Sequence, residues 1–171
     1  MVNSYYPHSV CTTWHVKHTG EVFLIHVFRK KLEYPQLFKA CKQLIEKYQP
    51  DVILIEASPA GRPLIQSLLE YKVLLSRVFP ITPITDKLTR LYTHTFVLEL
   101  GVVRVDSTAT WLEDFRKELT RFPKSKYDDQ VDSVSQFLYF YHSWLGTPRW
   151  GIKVLTHNIH GQSLLNEDFS L

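Results

Sequence analysis

Two groups of acidic residues lie where a metal-dependent reaction could use them. Glu56 ends the most apolar run of the chain, DVILIE, and the carboxyl ends of buried strands commonly host functional sites. Asp128, Asp129 and Asp132 open the last helical pattern, where the spacing puts Asp128 or Asp129 on the same side as Asp132. Crowded carboxylates repel one another unless a cation neutralises them, and Mg²⁺ binds through one or two carboxylates. The pattern is therefore compatible with a divalent metal site.

The same acids also have a structural interpretation. Carboxylates at the start of a helix accept hydrogen bonds from free backbone N–H groups and complement the helix dipole, which stabilises by about 0.3–1 kcal/mol each. Glu56 could likewise be a polar residue leading from a strand into the turn Ser58–Gly61. The residue types alone leave both interpretations open.

Basic residues near these acids could contact the phosphates of a nucleic acid. Lys124 and Lys126 precede the aspartates, and Lys87 and Arg90 share one face near the start of an earlier predicted helix. A solvated helix face is the alternative for all four. We keep these residues as candidate nucleic-acid contacts.

Composition limits the class of protein. The chain has 171 residues, 44% hydrophobic and 22% charged, with a formal net charge of +3, which is typical of one globular domain and too mild a charge to establish a nucleic-acid partner. Cys11 and Cys41 are its two cysteines, which excludes a disulfide scaffold and favours a reducing compartment. The apolar runs are too short to span a bilayer and no secretory signal is evident, so we expect no membrane partner and a cytoplasmic location.

Common catalytic motifs are absent. The sequence contains no GxSxG elbow, no GxxxxGK[ST] phosphate loop and no GxGxxG fingerprint, which argues against three common enzyme classes. The histidines form no HExxH or HxH pattern and are assigned no role.

Hydrophobic periodicity predicts a hairpin followed by alternating helices and strands. The predicted strands are Val10–Val16, Glu21–Phe28, Asp51–Glu56, Val73–Phe79 and Val102–Val105. The first three predicted helices are Tyr34–Tyr48, Gly61–Tyr71 and Asp86–Leu100, and in the third Leu88 and Leu91 are expected to face inward. Two more helices are predicted after them, one that begins with a capping box formed by Thr110 and Glu113 and one that begins at Asp128 or Asp129. This order predicts an α/β fold with a mixed sheet and helices on both faces.

Four segments, in order, carry a resemblance to a known family: LEYPQL, PDVILIEASPAGRPLIQSL, DKLTR and FPKSKYDDQVDSVSQFL. Together they resemble the nuclease domain of the large subunit of tailed-phage terminases, which package and cut viral DNA. The resemblance runs from about Ser9 to Tyr141. It implies a ribonuclease-H-like fold for residues 1–145, with residues 146–171 as a tail without predicted structure.

The resemblance also implies a chemistry. In that family, acids from the first strand, from the strand matching DVILIE and from the last helix hold two Mg²⁺ or Mn²⁺ ions that cut a DNA phosphodiester. Glu56 matches the second acid, and the pair Asp128 and Asp129 contains the third, with Asp132 in the same motif. We take Glu56 and Asp129 as the expected catalytic residues and all four acids as expected metal ligands. Which aspartate is the principal ligand stays open.

One departure from the family affects the expected activity. No acidic residue precedes Glu21, so the first acid and its strand have no counterpart, and the family's ATPase motor is absent as well. We therefore expect a truncated or split gene product of a phage or prophage in the bacterial cytoplasm, impaired as an endonuclease and with an open sheet edge. Its expected partners are double-stranded DNA and the missing amino-terminal terminase part, the portal or the small terminase subunit.

Two other functions stay open at this point. A prophage remnant without catalysis could bind DNA or a packaging protein through its basic residues. Another ribonuclease-H-like enzyme, such as a junction resolvase, would also bring the acids together, but explains LEYPQL and DKLTR less well.

Overall fold

From residue 8 to residue 144 the strands and helices follow the order that periodicity predicts, except that the helix predicted at Asp86–Leu100 is divided into two. The computed structural model describes residues 8–71, 77–144 and 152–159. The elements are β1 His8–Val16, β2 Val22–Lys31, α1 Tyr34–Tyr48, β3 Val52–Glu56, α2 Gly61–Glu70, β4 Arg77–Ile81, α3 Lys87–His94, α4 Phe96–Glu99, β5 Val103–Val105, α5 Leu112–Arg121, α6 Asp129–Trp144 and β6 Ile152–Ile159. None of these helices has the length and apolar character needed to cross a lipid bilayer.

The strands form one mixed sheet in the order β4-β3-β6-β1-β2-β5. Strand β1 pairs antiparallel with β2 and with β6, whereas β3 pairs parallel with β4 and with β6, and β2 pairs parallel with β5. The predicted α/β class with a mixed sheet is therefore confirmed.

The central strand β6 comes from the segment that sequence analysis treats as a tail. Ile152–Ile159 lies between β1 and β3, so neither of these strands is an edge. Among the described strands the edges are β4 and β5, and the expectation of an edge left open beside β1 is wrong. Val154 and Leu155 are fully buried, in the cores on opposite faces of the sheet, which is a strand pattern too short to be distinguished from irregular chain by periodicity.

Helices cover both faces of this sheet. On one face α1 and α2 pack against β1, β3 and β6 through an apolar core that includes Cys41, Leu64 and Leu155. On the other face α4, α5 and α6 pack through a second core that includes Trp14, Phe115 and Phe137. Trp14 stacks on Phe137 with ring centroids 4.5 Å apart. The predicted covering of both faces is confirmed.

Local signals at the helix ends had mixed outcomes. The capping box predicted at Thr110 and Glu113 does not form, because α5 begins one residue later with Trp111 at its N-cap and without a side-chain cap. A capping box does form at α1, between Glu33 and Gln36. Gly101 adopts the predicted left-handed conformation, with φ 64°. The first residues of the predicted strand 73–79 lie outside the described residues, and β4 begins at Arg77.

The position of β6 predicts a large effect for a core truncation there. Leu155→Ala should lower the free energy of unfolding by about 2–5 kcal/mol, because it removes a fully buried side chain from the core under α1 and α2. The matched control Leu69→Ala, at a residue 60% exposed, should change it by less than about 0.5 kcal/mol. Urea denaturation measures both, and equal effects would show that β6 is not part of the sheet.

Candidate acidic site at the head of the last helix

Strand alternation orients Glu56 toward α6. Val52 and Leu54 belong to the core that includes α6, and Glu56 follows them at two-residue spacing, on the same face of the sheet. Glu56 ends β3 and is 6% exposed. A carboxyl group is thus buried at the carboxyl end of a central strand.

The first turn of α6 supplies a second buried acid on that face. Asp132 is fully buried, and the Lys87 ammonium contacts its Oδ2. The same ammonium lies 2.8 Å from Oδ2 of Asp128, and Arg90 Nη2 lies 3.5 Å from Oδ1 of Asp132. Asp128 and Asp132 are therefore held by two cations from α3.

The inward face of α3 is more polar than the sequence predicts, although Leu91 packs against the core as expected. Lys87, Arg90 and His94 are the buried residues of this helix, whereas Leu88 is 38% exposed. This helix turns Leu88 toward solvent because leaving a buried carboxylate without a cation would cost more free energy than exposing one leucine. Lys87 and Arg90, predicted to contact DNA phosphates, are buried against aspartates instead.

Hydrogen bonds fix Arg90 in this position. Its Nη1 donates to the carbonyl oxygen of Thr85 at 2.9 Å, and its Nε donates to Oγ of Ser135 at 3.2 Å. Together with the contact to Asp132, these bonds tie the chain before α3 to two turns of α6. Asp86 caps α3 by accepting from the backbone N–H groups of Leu88 and Thr89, both at 3.0 Å.

Glu56 shares its electrostatic neighbours with Asp132. Burial raises the pKa of Glu56 to about 8, against the opposing effect of the positive charges of Arg90 and Lys87. Burial also raises the pKa of Asp132 well above its usual range, while Lys87 opposes that shift. The charges of Lys87 and Arg90 therefore act on both acids.

Asp129 belongs to a different cluster. Its Oδ2 lies 3.4 Å from Nδ1 of His8 and 3.6 Å from Nη2 of Arg29. Arg29 also pairs with Glu118 at 3.0 Å, and Glu118 accepts hydrogen bonds from the backbone and the side-chain amide of Gln130. Asp129 is therefore separated from Asp128 and Asp132 by its ion-pair partners, which come from β1 and β2 and not from α3.

The remaining basic candidates lie on the surface near this second cluster. Lys124 and Lys126 are exposed and border a cleft of about 290 Å³. Further basic residues line the same cleft, which we call the basic cleft: Arg29, Lys117 and Arg121. The Lys126 ammonium also lies 5.1 Å from the ring centroid of Tyr127. This surface is available to an anionic partner.

Glu56, Asp128 and Asp132, together with Lys87 and Arg90, form what we call the acidic cluster. Its acids are of a type that binds hard divalent cations, but in the structure Asp128 and Asp132 contact protein cations. The carboxylate of Asp132 is held by the Lys87 ammonium at Oδ2 and by the Arg90 guanidinium at Oδ1. Carboxylates of Glu56, Asp128 and Asp132 are suitable ligands for Mg²⁺ or Mn²⁺. Within residues 8–71, 77–144 and 152–159, however, no group of three or more acids, histidines or cysteines converges closely enough to hold a metal. Metal binding here would require the carboxylates to come closer together and the Lys87 ammonium to move away from Asp128 and Asp132.

Sequence reasoning identified the acids but not their partners. His8, Arg29 and Glu118 were absent from the predicted site. Lys87 and Arg90 were predicted from their shared helical face, but as nucleic-acid contacts and not as partners of Asp132.

Comparison with known proteins adds no relative. The chain matches no protein-family model, no curated protein and no solved structure.

The burial of Glu56 predicts a pH-dependent stability. Because its pKa rises from 4.5 to about 8 on folding, the folded chain binds more protons than the unfolded chain in this window. Stability from Glu56 protonation is therefore present below pH 4.5 and is lost as pH rises to 8, with a slope of up to about 1.4 kcal/mol per pH unit. Glu56→Gln should flatten that fall in urea-denaturation measurements across the window. The exposed control Glu46→Gln should keep the wild-type slope, and an unchanged slope in Glu56→Gln would contradict the burial of an ionisable group.

Proposed function

We propose that this chain is a metal-dependent DNA endonuclease of the ribonuclease-H-like type, related to terminase nuclease domains and weak in activity. One observation carries the proposal: Glu56 and Asp132, from the strand and helix that the motif resemblance implies, are both buried, and the charges of Lys87 and Arg90 act on both carboxyl groups. Buried acids with raised pKa values cluster at functional sites. Cleavage of viral DNA during packaging, alongside other terminase parts, rests on the motif resemblance.

The sheet topology supports the ribonuclease-H-like part of the proposal. Strand β6 lies between the β1–β2 hairpin and β3, which bears Glu56, and it is antiparallel to β1 and parallel to β3. Its sequence, IKVLTHNI, contains no aspartate or glutamate, so it does not replace the first acid. A site lacking one ligand accounts for weak activity.

Each residue of the proposed site has a distinct task. Glu56, Asp128 and Asp132 would hold Mg²⁺ or Mn²⁺, which when bound supplies an activated water and stabilises the leaving oxygen. Lys87 neutralises the acids when no ion is bound, and Arg90 keeps Asp132 oriented through its bonds to α6 and Thr85. Lys124 and Lys126 in the basic cleft would bind the DNA backbone.

A second candidate function is DNA binding without cleavage. Two observations favour this function. Lys87 and Arg90 already neutralise the charges of Asp128 and Asp132 through ion pairs, and the lysines of the basic cleft are exposed. In that case the acidic cluster is a structural ion-pair network and the cleft alone carries function.

Plasmid cleavage and metal binding distinguish the two functions. With the purified chain and supercoiled plasmid, Mn²⁺ should produce slow nicking and should raise the melting temperature. Glu56→Gln and Asp132→Asn should lower the nicking rate by about 100-fold or more. Glu56→Gln keeps the shape of the side chain and guards against a loss that is only a failure to fold.

Glu46→Gln is the matched control, because Glu46 is an exposed acid on α1 and lies outside both the acidic cluster and the basic cleft. It should leave the nicking rate unchanged. The nuclease proposal fails if Mn²⁺ neither raises the melting temperature of the chain nor supports nicking. The binding function then stands if the affinity for DNA falls with rising salt and in the double variant Lys124→Ala and Lys126→Ala.

A further inference from the structure

A cavity lies beside the acidic cluster, between α3, α6 and the segment that joins β4 to α3. Its volume is about 310 Å³, at the lower end of the roughly 300–1,000 Å³ typical of small-molecule sites. The walls are mainly apolar, and polar side chains lie at its inner end: Arg90, His94 and Gln136. This size suits one compact ring system.

Gln136 is the residue that points to a ligand. It is fully buried and borders the cavity, yet neither its amide nitrogen nor its amide oxygen has a hydrogen-bond partner among the described residues. An unsatisfied buried polar group costs about 1–3 kcal/mol, and such groups are rare in folded proteins. A ligand carrying an adjacent donor and acceptor would satisfy both atoms.

His94 and Tyr139 add to the recognition surface. Nδ1 of His94 is buried and has no hydrogen-bond partner in the described part of the chain. Burial lowers the pKa of His94, aided by His142 and Arg90, so the ring is neutral near pH 7 and offers one donor and one acceptor. Tyr139 lines the cavity and is 44% exposed, which leaves an aromatic ring available for stacking.

The cavity adjoins the proposed cleavage site. Gln136 follows Asp132 by one helical turn on the same side of α6. Arg90 contacts Asp132 and also lines the cavity. A nucleotide whose phosphate lies at the acids would therefore have its base within reach of the cavity if that base were unstacked from the helix.

We propose that this cavity binds a single unstacked nucleobase, with adenine preferred, through the Gln136 amide. A glutamine amide can pair with the adjacent acceptor and donor at N7 and N6 of adenine, and an apolar cavity with an aromatic wall suits a planar heterocycle. The assignment of the base to a DNA strand rests on the proposed function, whereas the chemistry of the cavity does not. A free nucleoside would satisfy the same groups.

Nucleoside binding measured without metal tests the cavity by itself. In EDTA, calorimetry with adenosine should detect binding that weakens by about tenfold or more in Gln136→Met. The same substitution should leave the melting temperature equal or higher, because it removes an unsatisfied buried amide without leaving a void. A residue with only a structural role would instead lower it.

Two further variants control this experiment. Tyr139→Ala should weaken adenosine binding severalfold through lost stacking. Gln66→Met, at an exposed glutamine of α2, should have no effect. Absence of adenosine binding at millimolar concentration, or equal binding by wild type and Gln136→Met, overturns the proposal.

The source of the base is tested by comparing single-stranded oligodeoxyadenylate with adenosine. Tighter binding of the strand, again lost in Gln136→Met, supports a base from DNA. Equal affinity overturns the assignment to DNA. Because these measurements need neither metal nor cleavage, failure of the cavity proposal is distinguishable from failure of the nuclease proposal.

Discussion

The buried carboxylate of Asp132 imposes the constraint on which the arrangement around α6 depends. A charge without solvent costs several kcal/mol unless it is paired, and Lys87 and Arg90 supply the pairing. These contacts fix which face of α3 is turned inward and bring Ser135 and Thr85 into hydrogen bonds with Arg90. The acidic cluster and the neighbouring cavity are thus two consequences of one ion-pair network.

Most elements could be predicted because their own residues carry the signal. The amphipathic pattern of α1 fixes both its ends, and the apolar run of β3 marks a strand buried on both faces. Strand β6 could not be predicted in this way, since its place depends on two distant strands, β1 and β3, that flank it. The capping signal at Thr110 misplaced the N-cap of α5 by one residue, since the N-cap is Trp111.

The site was predictable in part for similar reasons. Helical spacing allows either Asp128 or Asp129 to share a face with Asp132, and only the structure groups Asp128 with Asp132 and places Asp129 in another cluster. The burial of Lys87 and Arg90 could not be predicted from the sequence, because basic residues have the same spacing along a helix whether the face that they form is exposed or buried. Only the packing of α3 against α6 decides that the cations meet aspartates and not solvent.

A double-mutant cycle between Lys87 and Asp132 tests this network most directly. Urea denaturation at neutral pH would compare Lys87→Met, Asp132→Asn and the double variant with wild type. We expect each single variant to lose about 3–5 kcal/mol, because it leaves one charge or polar group buried without its partner, and a coupling energy of about 1–3 kcal/mol between the two positions. Losses that add to within about 0.5 kcal/mol would contradict the pairing and, with it, the account of the site.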